Sequence, residues 1–132
     1  MTAEHTDQKT VLVIEDDPWT RTITTALLAG EGFAVVEAKN GEEGLSLARQ
    51  HAPDAVLLDL ALPTKSGLEV LRELKGDGAT DAIPVIVVSA YGTLMNENDA
   101  AQTAGVIQKP FDYDDLVGQV ERATHASQLA LA

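Results

Sequence analysis

The chain of 132 residues suits a single domain, at which size roughly two-thirds of the unfolded surface is buried in one core. Nine Lys and Arg against 21 Asp and Glu give a formal net charge of −12, a field that repels a phosphate backbone and argues against direct nucleic-acid binding. Cysteine is absent, which excludes a disulfide scaffold and thiol catalysis, and no apolar run approaches the ~20 residues of a membrane span, so no membrane insertion is expected and the cytoplasm is the default location.

Residues 1–9 lack the basic start and apolar segment of a signal peptide and read as a flexible N-terminal segment. Val11-Leu12-Val13-Ile14 is a first strand, stopping at Glu15-Asp16-Asp17. A helix from Trp19 to Ala29 follows, with a stripe of Trp19, Ile23, Leu27 and Leu28 that Gly30 or Gly32 ends. Phe33 to Glu37 is a short second strand. Asn40 and Glu43 form a capping pair for a helix through Gln50, with Leu45 and Ala48 turned inward. Pro53-Asp54 leads into a third strand, Ala55 to Leu58, which stops at Asp59. After a turn over Leu62 to Gly67, Ser66 caps a helix bearing Leu68, Leu71 and Leu74, closed by Gly76-Asp77-Gly78. The fourth strand, Ile83 to Val88, ends at Ser89. A weaker helix covers Asn96 to Thr103, and Val106-Ile107 is a fifth strand running into Lys109-Pro110. Asp112 caps a last helix that uses Leu116, Val117 and Val120, and residues 126–132 read as a fraying tail, which leaves 10–125 as the domain.

Strands alternating with helices of this length are the pattern of an α/β fold, a parallel sheet covered on both faces. The first, third and fourth strands are apolar throughout, as central strands are. The carboxyl ends of parallel strands share one rim, where open α/β sheets place their sites. That rim would gather Glu15, Asp16, Asp59, Ser89 and Lys109.

Adjacent acids after a strand are common because loops are polar, but an oxygen-rich pocket at a strand end suits Mg²⁺, which takes one or two carboxylates and a phosphate oxygen. Asp16 and Asp59 are the acids placed to supply them directly. Taken singly, Ser89 reads as a turn or cap residue and Lys109 as a solvated charge; together they offer a hydroxyl and a point positive charge to phosphoryl oxygens. Pro110 restricts the turn that presents Lys109, and the sequence leaves open whether the Lys109-Pro110 bond is cis. Nucleotide-binding glycine loops are missing, since Gly41-Glu42-Glu43-Gly44 has neither their spacing nor their lysine. His5, His51 and His125 are too scattered for a metal cluster. Trp19, Phe33, Tyr91, Phe111 and Tyr113 form no basic-aromatic ladder and read as packing residues, with Tyr91 close enough to Ser89 to report on the site.

From Val11 to about Ala123 the chain resembles the receiver domains of bacterial two-component response regulators. The resemblance rests on Glu15-Asp16-Asp17-Pro18 after the first strand, Asp59-Leu60-Ala61-Leu62-Pro63 with Gly67, Ser89-Ala90-Tyr91-Gly92 after the fourth, and Lys109-Pro110-Phe111. It implies a doubly wound, flavodoxin-like five-stranded sheet of order 2-1-3-4-5 with five helices. It also implies that Asp59 takes a phosphoryl group from phosphohistidine on a sensor histidine kinase or histidine phosphotransfer protein. Carried over, Asp16 and Asp59 bind Mg²⁺ (with Mn²⁺ as a substitute) through side chains, Ala61 through its carbonyl and Glu15 through a water. Ser89, Ala90 and Lys109 then contact the phosphoryl group, and Asp17 falls outside the direct coordination set. The family's face of helix 4, strand 5 and helix 5 serves a downstream protein or pairing into a homodimer.

Two departures stand out. Val106 occupies the position where the family often has a switching aromatic, so an activation route through Ser89, Tyr91 or the loop from Ser89 to Asn96 is expected instead. The 20 positions from Ser89 to Lys109 are about two fewer than in common members, which trims the fourth helix or the loop after it. The expected function is a phosphoacceptor switch that self-phosphorylates and autodephosphorylates with Mg²⁺ without being a turnover enzyme. The alternative is a constitutive, phosphorylation-independent protein-binding module, against which the intact set of Asp16, Asp59, Ser89 and Lys109 argues.

Overall fold

A computed structural model describes residues 8–90 and 95–131, with side chains through 125. Five strands, β1 (Thr10–Ile14), β2 (Ala34–Ala38), β3 (Ala55–Asp59), β4 (Val85–Ser89) and β5 (Gly105–Gln108), pair in parallel in the order β2-β1-β3-β4-β5. Between and after them run α1 (Pro18–Gly30), α2 (Gly41–His51), α3 (Gly67–Lys75), α4 (Glu97–Ala101) and α5 (Tyr113–Leu131). The three strands with four consecutive apolar residues, Val11–Ile14 in β1, Ala55–Leu58 in β3 and Val85–Val88 in β4, are the central ones.

Side chains along a strand alternate between faces, and both faces here are dry. Leu12, Ile14, Val56, Leu58, Val85 and Val87 pack with Leu45, Leu71 and Leu74 of α2 and α3. Val11, Val13, Leu57, Ile86 and Val88 pack with Leu28, Leu116 and Val120 of α1 and α5. Each such buried Leu, Ile or Val contributes ~1.5–3 kcal/mol over an exposed one, so this double layer is the rigid base of the rim.

The helix starts follow local chemistry. Asp17 caps α1 by accepting the Thr20 amide at 2.8 Å, ahead of Pro18 in the first turn. Asn40 Oδ1 accepts the Glu43 amide at 2.8 Å, as expected, but the Glu43 carboxylate accepts the Lys39 amide at 2.7 Å, one residue earlier than a reciprocal box. Ser66 and Glu69 complete such a box at α3. Gly32, at φ +97°, closes α1 with Phe33 N–H donating to Leu28 C=O at 3.1 Å and Gly32 N–H to Ala29 C=O at 3.0 Å.

Two expectations are corrected. The inward face of α1 carries Thr24 and Leu28, whereas Trp19 is 72% and Ile23 36% exposed. The helix is turned by about one position from the apolar stripe, bringing the small Thr24 inward and leaving Trp19 outside, so Trp19 is no packing residue. Tyr113, at the start of α5, is likewise exposed and bonded through its hydroxyl to Glu31. Second, α5 continues to Leu131 where a tail was expected from 126. The segment Ala126 to Leu131 holds no Gly or Pro and is rich in strong helix formers.

The fourth helix spans five residues, shorter than the expected stretch from Asn96 to Thr103, and Asp99 is its one buried residue. Arg72 of α3 grips that carboxylate with both arms, Nε to Oδ1 at 3.0 Å and Nη2 to Oδ2 at 2.7 Å. Arg72 therefore holds the Asp99 carboxyl below its ordinary value. A depressed carboxylate pKa stabilises the folded state above the unfolded value of ~3.9 and loses that contribution as pH falls through the folded one. Amide exchange over Glu97 to Ala101 is expected to quicken in that acid range, and at neutral pH in Asp99→Ala, while β1 and β3 stay protected; uniform exchange across all three elements would contradict this.

Candidate functional site

The rim at the carboxyl ends of β1, β3 and β5 brings together residues far apart in the chain. Lys109 Nζ lies 2.8 Å from Glu15 Oε1 and 3.1 Å from Asp59 Oδ2. Both acids are buried, at 5% and 4% exposure. Asp59 Oδ1 accepts the Ala61 amide at 3.0 Å, and Glu15 Oε2 the Asp17 amide at 3.2 Å. Carboxylate oxygens of Glu15, Asp16 and Asp59 lie within 4.8 Å of one another. Of the three, Asp16 is the most open to solvent, and its carboxylate makes no hydrogen bond to any described residue.

The electrostatics follow from two buried acids sharing one ammonium. Burial pushes the Glu15 carboxyl up, Lys109 pulls it back, and the adjacent Asp59 adds a like-charge push; the net position is raised. Burial also opposes charge on Lys109, yet hydrogen bonding and Coulombic attraction from Glu15 and Asp59 outweigh it and raise its pKa. An all-oxygen donor set with surplus negative charge and one unengaged carboxylate fits a hard divalent cation. Asp17 is spent on capping α1 and stands outside the acidic group.

The sheet register sets the remaining positions. Asp59 pairs with Val88, and the Lys109 amide donates to the Ser89 carbonyl at 2.8 Å, so Ser89, buried at the end of β4, stands on the same rim. The Lys109-Pro110 bond is cis. Close approach under the site depends on Gly67, where a Cβ would meet the Asp59 carbonyl oxygen at 2.4 Å.

Residues 11–121 match the family model of the response regulator receiver domain. The chain belongs to that family. Curated relatives include the polar-differentiation response regulator DivK of Brucella anthropi, 38% identical over 115 residues that make up 86% of this chain and 94% of DivK. Protein PilH of Pseudomonas aeruginosa is 42% identical over 79 residues, 60% of this chain and 65% of PilH. Among solved structures, a receiver domain from Clostridium thermocellum superposes with a TM-score of 0.84 at 28% identity, covering 92% of this chain and 98% of that one. A CheY-like receiver domain from Methanospirillum hungatei gives 0.85 at 25% identity, covering 94% and 99%.

A receiver is a phosphoacceptor signalling domain, not a turnover enzyme, and this chain carries the acidic cluster that the function needs. The receiver fold accounts for the gathering of Glu15, Asp16, Asp59, Ser89 and Lys109. Ala90, which follows on the rim, is exposed. Tyr91 lies outside the described residues. Val106 sits on edge strand β5, paired with Val87 and 38% exposed. The sequence reading missed Arg21, which reaches the backbone of the acidic loop. Its signal was present: α-helical spacing puts residue 21 one turn above the Asp17 cap. No helix among the described residues is long and apolar enough to cross a membrane.

Proposed function

We propose that Asp59 is the phosphoacceptor of this receiver, taking its phosphoryl group from a phosphohistidine on a sensor histidine kinase or histidine phosphotransfer protein. The observation that carries this is a buried carboxylate at the end of a central strand, ionically held by Lys109 and flanked by Glu15 and Asp16. An Asp59 oxygen bonds to phosphorus as the nitrogen–phosphorus bond breaks, its electron pair returning to the donor imidazole. Lys109 is already within hydrogen-bond reach and follows the developing charge onto the phosphoryl oxygens, with Ser89 and Ala90 at the same rim. The Ala61 amide orients the nucleophile.

Asp16, Asp59 and the Ala61 carbonyl would hold Mg²⁺ directly, with Mn²⁺ as a substitute, and the cation would supply positive charge against that gathering on the phosphoryl group. Glu15 acts through a water, as the receiver resemblance implies, with Lys109 on one of its oxygens and the Asp17 amide on the other. The face of α4, β5 and α5 serves the downstream protein or a second copy. Activation runs through Ser89, Tyr91 or the loop from Ser89 to Asn96, since Val106 has no ring to bury or expose.

Incubation with a small phosphodonor and Mg²⁺, read by intact mass, is expected to show one phosphoryl group per chain; a persistently unmodified chain would overturn the proposal. In calorimetric titration Mg²⁺ affinity is expected to fall at least about tenfold, ~1.4 kcal/mol, in Asp16→Ala and less in Glu15→Gln. Equal affinity in wild type and Asp16→Ala would remove Asp16 from the ligand set.

A further inference from the structure

The acidic loop between β1 and α1 aims two carboxylates, and its backbone is held from behind. Arg21 Nη1 donates to the Glu15 carbonyl at 2.8 Å and reaches the Asp16 carbonyl at 3.4 Å. The Arg21 Nε donates to Glu37 Oε1 at 3.2 Å, and the Arg21 side chain is 19% exposed. Glu37 belongs to β2, and the Glu15 amide donates to Ala38 of the same strand at 3.0 Å. The loop is thus tied to β2 twice, once by backbone and once through a guanidinium.

We propose that Arg21, oriented by Glu37, is a positioning residue for phosphoryl transfer: by fixing the Glu15 and Asp16 carbonyls it sets the direction of the Asp16 carboxylate. This rests on the reading of Asp16 as a cation ligand. The planar fork of arginine addresses two carbonyls and a carboxylate at once; a lysine ammonium is a single point of donors on a flexible stem. Each carbonyl fixes its own peptide plane, and the Glu15 and Asp16 carbonyls belong to the two planes that flank the Asp16 Cα, so holding both fixes the Cα–Cβ vector of Asp16.

Charge and positioning make opposite predictions. As a nearby positive charge, Arg21 disfavours a bound cation, so its neutral replacement would tighten Mg²⁺ binding and lysine would change nothing. As a positioning group, its loss as Arg21→Met or Arg21→Lys weakens Mg²⁺ binding, by about tenfold, the size typical of groups that orient metal ligands.

The test is calorimetric Mg²⁺ titration of the full chain without phosphodonor, for wild type, Arg21→Met, Arg21→Lys, Glu37→Leu, Glu37→Gln and Asp16→Ala, each checked for native amide spectra. Expected are weaker binding in both Arg21 variants and in Glu37→Leu, near recovery in Glu37→Gln, which keeps an acceptor oxygen, and no added loss in Arg21→Met/Glu37→Leu over Arg21→Met. With a small phosphodonor, the Mg²⁺ concentration for half-maximal phosphorylation shifts while the rate at saturating Mg²⁺ holds, a split that general loosening of the fold would not give. Unchanged or tighter Mg²⁺ binding in Arg21→Met, with Asp16→Ala weakened, overturns the positioning role alone. Unchanged binding in Asp16→Ala overturns the ligand reading beneath it.

Discussion

Asp59→Asn is expected to abolish acid-labile phosphate incorporation while leaving the fold intact. The amide keeps the size and shape of the carboxylate, and its oxygen still accepts the Ala61 amide, which now bonds Asp59 Oδ1. What it loses is the anionic oxygen that forms the acyl phosphate. Structurally the change is mild, because Lys109 retains Glu15 at 2.8 Å. It also removes one of the two buried negative charges that crowd each other, and the Glu15 carboxyl should drop back once the neighbouring charge is gone. Intact mass with a small phosphodonor and Mg²⁺, beside a denaturation curve, reads both halves. Unchanged labelling would mean that the phosphoryl group goes elsewhere.

Gly67→Ala should damage stability and phosphorylation together. A Cβ at this position would stand 2.4 Å from the Asp59 carbonyl oxygen and 2.5 Å from Leu60 Cα. Both are backbone atoms, so no side chain can rotate away. Either the start of α3 slides off the end of β3 or the Asp59-Leu60 peptide moves. A forced insertion of this kind costs ~1–3 kcal/mol. The shift reaches the Ala61 amide and with it the Asp59 carboxylate, so phosphorylation by a small donor should slow. Gly78→Ala is the control, with nothing within 4 Å of its added Cβ. Wild-type stability and rate in Gly67→Ala would show that the β3–α3 turn yields without consequence.

The sheet and the rim were readable before the structure because each depends on local pattern. Runs apolar at every position mark strands buried on both faces, and the polar residue that ends each run marks the rim, which is how Asp59, Ser89 and Lys109 were found together. The cap at Ser66 was equally visible, since it needs only a hydroxyl and a glutamate three residues on. The inward face of α1 was not. Counting apolar residues chose Trp19 and Ile23, whereas tertiary packing chose Thr24, a small side chain under the site. Arg21 was legible only in its place one turn above the Asp17 cap; its grip on two backbone carbonyls and on Glu37, 16 positions away, carries no local sequence signature. Helix α5 outran its expected end because apolar small residues near a terminus read equally as tail or helix until the backbone is traced.

The outward turn of α1 leaves the chain's one tryptophan, Trp19, 72% exposed directly after the acidic loop. Its indole is therefore solvated in the native state as it is in the unfolded chain. Emission from Trp19 is a poor gauge of global unfolding, because the core that melts contains no tryptophan. The same placement makes it a spectroscopic label that nature has put at the rim, two residues beyond the Asp17 cap. Trp19 emission in this receiver is therefore placed to follow events beside the acidic loop rather than the state of the core.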